Sequence, residues 1–164
     1  MSIKQKLTLL SFLQFFIWGS WLISTGDYLF SIGFKGIEIG SVYSTLGIAS
    51  LFMPALLGIV ADKWMNAERV LGLSHLMGAI FLVIASFVKS PSLMFWVMLF
   101  NSMAYMPTIS MNNTVSYKIL EKSGYDIVKV FPPIRVWGTI GFIVAMWISD
   151  LSGFAKITKT FHQQ

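Results

Sequence analysis

The sequence predicts an all-α integral membrane protein with about five transmembrane helices. Three observations carry that prediction. The composition is 55% hydrophobic and 12% charged, with a mean hydropathy of +0.72, against about a quarter charged in ordinary soluble domains. The apolar residues fall in blocks, each near the roughly 20 residues that cross a 30 Å hydrocarbon core. The basic residues sit between those blocks rather than on one patch, as they do in loops at a membrane face.

The blocks place spans at 7–30, 39–60, 70–88, 93–117 and 133–151. Each is expected to be helical, because an isolated span must satisfy its own backbone hydrogen bonds. The first follows a short basic start, Met1 to Lys6, and resembles a signal peptide. Its apolar run is too long for one and no small-residue cleavage site closes it, so it reads as a retained span. Gly26, Pro54 and Pro107 lie inside spans and are expected to loosen or kink their helices. Lys4, Lys6, Lys63, Arg69, Lys118, Lys122 and Lys129 fall on one side, with Lys35 and Lys89 opposite. The N-terminus is therefore expected to be cytoplasmic. Residues 155–164 are too few and too polar for another span, and Lys156 and Lys159 fit an external tail poorly. The sequence reads as a cut-off portion of something longer, with 1–154 as a partial bundle.

Several function classes drop out. There are no cysteines, and the two histidines, His75 and His162, are far apart, so no metal site is expected. The net charge of +5 is not clustered as phosphate binding requires, so nucleic acid is not an expected partner. No nucleophile elbow, zinc-protease motif or phosphate-cradling glycine loop is present, which argues against an enzyme.

Polar and aromatic groups recur at helical spacing in three spans: Gln14, Trp18 and Trp21; Asn101, Tyr105, Thr108 and Asn112; and Arg135, Thr139 and Phe142. A lipid-facing surface has no use for amides, so these stripes are expected to face other helices or water. Arg135 stands out, because a guanidinium stays charged at any accessible pH. Near the bilayer centre it costs roughly 2.5–3.5 kcal/mol on translocon scales. Its place about one turn into the fifth block also permits snorkelling to the surface. For single Asn or Thr residues the alternative is interhelical hydrogen bonding, worth roughly 0.6 kcal/mol on average. Trp96, Trp137 and Trp147 lie nearer span ends and suit an interfacial belt, and Asp27 suits interfacial solvation. Gly36 with Gly40, Gly138 with Gly141, and Gly58 one turn before Asp62 are read as places where helices approach closely.

The loop string Gly58-Ile59-Val60-Ala61-Asp62-Lys63 resembles the signature of the major facilitator superfamily, where the aspartate serves an intracellular gate. Longer strings are more specific: Ser11 to Phe15, Trp18 to Leu22, Phe52 to Trp64, Ala104 to Thr108, and Phe131-Pro132-Pro133-Ile134-Arg135-Val136-Trp137-Gly138-Thr139-Ile140-Gly141-Phe142. Together they resemble the NupG-type bacterial nucleoside permeases, nucleoside:proton symporters of that superfamily. The resemblance implies a fold of two six-helix halves about a central site. This chain corresponds to a partial N-terminal half, five spans long, in a bacterial inner membrane. It implies nucleosides and protons as partners besides the lipid bilayer, and a proton gradient in place of any cofactor. It also implies that Arg135, Thr139 and Phe142 line the nucleoside pocket, the first two as hydrogen-bonding groups and the third against the base. Gln14, Trp18, Asn101 and Tyr105 are candidates by helical spacing alone. Arginine does not release its proton, so a carboxylate is the expected coupling group, and the family's lie in the second half. Transport is therefore not expected of these five spans without that missing C-terminal half. A carrier for another polar solute such as a sugar, or a non-transporting membrane scaffold, are the alternatives.

Overall fold

A computed structural model describes residues 1–151. It contains helices α1 (Ile3–Ser31), α2 (Gly36–Lys63), α3 (Ala67–Phe87), α4 (Pro91–Lys122) and α5 (Ile127–Leu151). All five are long and apolar enough to cross a membrane. Their order matches the expected spans, and the expected polar tail lies outside the described residues.

The helix ends differ from the apolar blocks, and local hydrogen bonding explains where. α1 starts at Ile3 because Ser2 and Gln5 form a reciprocal cap: the Ser2 N–H donates to Gln5 Oε1 at 2.8 Å and the Gln5 N–H to Ser2 Oγ at 3.3 Å. α4 continues past Tyr117 to Lys122 and ends where Gly124 adopts φ +74°. The Tyr125 N–H then donates to the Leu120 carbonyl and the Gly124 N–H to that of Glu121, both at 3.0 Å, closing the helix as a Schellman motif. α5 begins at Ile127 rather than at Pro133. Asp126 Oδ1 accepts from the Val128 N–H at 3.0 Å and from the Lys129 N–H at 3.4 Å, so a carboxylate caps the helix upstream of the prolines. Pro132 and Pro133 therefore lie inside α5, where they lack the N–H groups that would bond the carbonyls of Val128 and Lys129.

The chain divides into two compact units whose boundary falls within α4. The first joins Met1–Gly33 to the residues from Ser116 on. Here α1 and α5 run parallel, since their contacting residues rise together in number. Near the start of both helices, Leu7, Leu120, Phe131 and Ile134 form a buried cluster. Further along, three glycines bring the backbones close. A Cβ on Gly141 would land on the Phe12 carbonyl, and one on Gly138 on the Phe15 ring. A Cβ on Gly19 would stand 3.0 Å from that of Ala145. At the far end the Ser24 and Ser149 hydroxyls pair at 3.0 Å.

The second unit, Phe34–Val115, contains α2, α3 and most of α4. Thr45 Oγ1 of α2 and Ser102 Oγ of α4 pair at 3.0 Å while buried. Large apolar side chains point outward: Leu51 is 85% exposed and Phe87 80%. The most buried side chains of α4 include Asn101, Thr108 and Asn112. Apolar outside and amide inside suits hydrocarbon as the surrounding medium. The close approaches expected at Gly36, Gly40 and Gly58 are not found: among the described residues no heavy atom comes within 4 Å of a Cβ built on any of them. Only the glycines of the α1–α5 seam have tight surroundings among the described residues, while Gly78 has ordinary van der Waals contact with Asn101 and Tyr105.

The seam makes a prediction. Helix propensity alone favours alanine over glycine by about 1 kcal/mol. Gly40→Ala, with open space around it, should leave stability in detergent unchanged or slightly raised. Gly141→Ala should lower it by about 1–3 kcal/mol, because its new methyl meets rigid backbone. Thermal unfolding of the two purified variants checks the opposite signs.

Candidate functional site

The sequence-predicted residues of α1 and α5 meet across the glycine seam. Arg135 is half-buried, and its guanidinium carbon lies 4.0 Å from the centroid of the Phe15 ring. Phe15 in turn meets Trp18 edge to face, 5.9 Å between centroids and 61° between planes. Trp18 meets Phe142 the same way at 5.7 Å and 67°. Arg135, Phe15, Trp18 and Phe142 thus form a continuous row of one cation and three rings. Each edge-to-face pair is worth about 0.5–1.5 kcal/mol beyond its buried area.

Thr139 stands between Arg135 and Phe142 by helical spacing and is exposed. Gln14, one residue before Phe15, is 2% exposed. The residues of this unit named from sequence are therefore held by two parallel helices, and one face of them, at Thr139, is open.

Arg135 is not snorkelling towards the start of its helix. It lies eight positions beyond Ile127, roughly 12 Å along the axis at 1.5 Å per residue. Its Nη1 sits 2.9 Å from where a Cβ of Gly138 would be. The head group therefore reaches forward along α5, away from the helix start. Because α5 starts upstream of the apolar block, Arg135 lies about two turns into the helix while lying about one turn into the block. No carboxylate pairs with Arg135 among the described residues.

Asn101 and Tyr105 belong to the second unit and share a buried face of α4 with Thr108 and Asn112, as their spacing predicted. Asn101 is fully buried, and neither amide atom has a hydrogen-bond partner among the described residues. Tyr105 is 2% exposed and meets His75 of α3 edge to face at 5.6 Å. The Thr108 hydroxyl donates back to the Tyr105 carbonyl at 2.6 Å, so it relieves its own helix rather than Asn101. Asp62 is exposed in the last turn of α2.

Two participants escaped the sequence reading. Phe15 lies beside the Gln14–Trp18–Trp21 stripe rather than on it, and only the fold shows it beneath Arg135. His75 has no metal-ligand spacing in the sequence, and the structure makes it the ring partner of Tyr105. The i, i+3 spacing of Phe15 and Trp18 was the available signal for the first. Nothing in the sequence signalled the second.

Span-length helices, outward aliphatic side chains and a cation held inside a helical seam define a multi-pass membrane protein. The chain belongs to the nucleoside H+ symporter family, whose family model matches residues 1–163. It is similar to the nucleoside permease NupG of Escherichia coli (strain K12), 58% identical over 155 residues, covering 94% of this chain and 37% of that protein. It is also similar to the xanthosine permease of the same organism, 54% identical over 152 residues, covering 92% and 36%. Among solved structures, the crystal structure of nucleoside transporter NupG matches with a TM-score of 0.89, 58% identity and coverage of 94% of this chain and 38% of that one. The chain thus spans a little over a third of the length of the curated relatives it matches.

The buried amide yields a second prediction. A buried polar group without a partner costs about 1–3 kcal/mol, so Asn101→Leu should leave the detergent melting temperature unchanged or raised. Asn101→Asp should lower it, since it adds a charge in the same place. Thermal melts of the two variants decide whether the amide is retained for stability.

Proposed function

We propose that this chain forms part of a nucleoside:proton symporter, in which Arg135, Thr139 and Phe142 contact the nucleoside. The observation that carries the reading is the state of Arg135. A permanent cation stands inside a span-length helix, stacked on an aromatic ring, with neither a carboxylate nor a hydrogen-bond acceptor among the described residues. Such a group is costly in a membrane and marks a function. Its five N–H donors suit ribose hydroxyls or a base carbonyl. The Thr139 hydroxyl, on the same face, can donate and accept, and Phe142 offers a ring to the base. Trp18 supports this wall from α1 by its edge contact to Phe142, and Gln14 is buried on the same helix.

The names of the relatives support the substrate class: two are permeases for a nucleoside or for xanthosine. Arginine cannot serve as the proton carrier. In this reading the coupling carboxylate lies in the longer protein's remaining helices, and no other cofactor is needed. The helices lie in a bacterial inner membrane with the N-terminus cytoplasmic, as the distribution of Lys and Arg favours. Asp62, with Gly58 one turn earlier, is assigned to the cytoplasmic gate by resemblance to the superfamily loop.

The test is a chimera that joins residues 1–151 to the remaining helices of the E. coli nucleoside permease, in cells lacking nucleoside uptake. Proton-dependent uridine uptake is expected. Arg135→Ala should lower uptake efficiency by about 10- to 100-fold, the cost of a lost charge-assisted hydrogen bond. Arg135→Lys should restore little, because an ammonium lacks the planar fork. A chimera that reaches the membrane yet takes up no uridine, or an Arg135→Ala form that transports normally, would defeat the reading.

A further inference from the structure

We propose that Phe15, seated in the notch left by Gly138, is a positioning residue that fixes the Arg135 guanidinium for its substrate. The inference rests on the reading of Arg135 as a nucleoside contact and adds the device that makes such a contact efficient.

An arginine side chain is long, with about 2 kcal/mol of rotamer entropy to lose when it is held. If that ordering happened only on binding, it would subtract from affinity, so a site gains by ordering the group beforehand. Arginines are usually held by a carboxylate, but a carboxylate would occupy the same N–H donors that a substrate needs. The ring of Phe15 avoids that conflict. At 4.0 Å from the centroid the guanidinium is attracted by the ring's negative face. That attraction does not use up N–H groups as hydrogen bonds to a carboxylate would.

The ring can serve because it is itself immobilised. Phe15 is 6% exposed and is braced by Trp18 on its edge. On the α5 side it rests against Gly138. An alanine there would place its Cβ 2.6 Å from Phe15 Cδ2, 3.1 Å from Cε2 and 2.9 Å from Arg135 Nη1. The missing methyl is thus the space that ring and guanidinium share. Among the described residues no other helical glycine has a charged side chain among its nearest atoms. Gly141 meets backbone, and Gly19 meets Ala145 and Phe142. Gly138 therefore does more than bring α1 close to α5: it admits the two groups whose stacking orients the cation.

The same uptake chimera tests this with a change that packing alone would not register. Replacing Phe15 by mono-, di- and trifluorinated phenylalanine weakens the ring's negative face while nearly preserving its shape. The expected result is a stepwise rise in the uridine KM, reaching about three- to tenfold for the trifluorinated ring. Vmax should change less and membrane abundance should hold. Phe15→Leu, which keeps an apolar filler and removes the ring, should match or exceed the trifluorinated form. Should Phe15→Leu fail to reach the membrane, the fluorinated series decides alone. A KM that stays flat across the series, while Arg135→Ala raises it, overturns the positioning role and leaves the substrate contact standing. A KM unmoved by Arg135→Ala removes the substrate contact, and the positioning role with it.

Discussion

The close approach of α1 and α5 depends on what Gly138 and Gly141 lack. Backbones can come near enough for a carbonyl of Phe12 to face Gly141 only if no Cβ intervenes. Within hydrocarbon there is little hydrophobic drive for helices to associate, so such association relies on van der Waals packing, and packing relies on small residues. The hydroxyl pair near the helix ends and the row of rings between α1 and α5 both need the close approach that this seam allows. A side chain at either glycine would separate the helices where Arg135 meets Phe15.

Polar groups in this protein are handled in three ways. Hydroxyls mostly relieve their own helices: Ser20, Thr25, Thr108 and Ser110 donate to carbonyls three or four residues earlier. A few reach across helices, as Thr45 does to Ser102 and Ser24 to Ser149. Asn101 does neither, and Arg135 is matched to a ring face rather than a carboxylate. The first two groups are structural devices. The last two are expensive to bury without such partners, so they are set apart from the self-bonded hydroxyls by their cost in a membrane interior.

Much of the architecture was legible in the primary structure. Apolar block length predicted five helices in the right order, because hydrocarbon thickness dictates a length that sequence reports directly. The α4 stripe from Asn101 to Asn112 was correctly read as one buried face, since the 3.6-residue period is local. The helix ends were less legible. Ser2, Asp126 and Gly124 set them through caps outside the hydrophobic pattern, so α5 starts earlier than its apolar block. Glycine pairs were ambiguous for a related reason. Gly36 with Gly40 and Gly138 with Gly141 are both one helical turn apart to within a residue, yet only the second pair meets a neighbouring helix among the described residues, Gly138 through the Phe15 ring and Gly141 through the Phe12 backbone.

By itself, then, the sequence determined the class of protein, the number and order of its helices, the family resemblance and the candidate residues of α5. Those are properties of composition, period and motif, all readable along one dimension. Only the tertiary structure decided that Arg135 turns forward over Phe15 instead of towards the helix start, and that Trp18 bridges to Phe142. Those outcomes depend on the register of α1 against α5, separated by more than a hundred residues of chain. A guanidinium has no preference for one aromatic ring until packing brings that ring within reach.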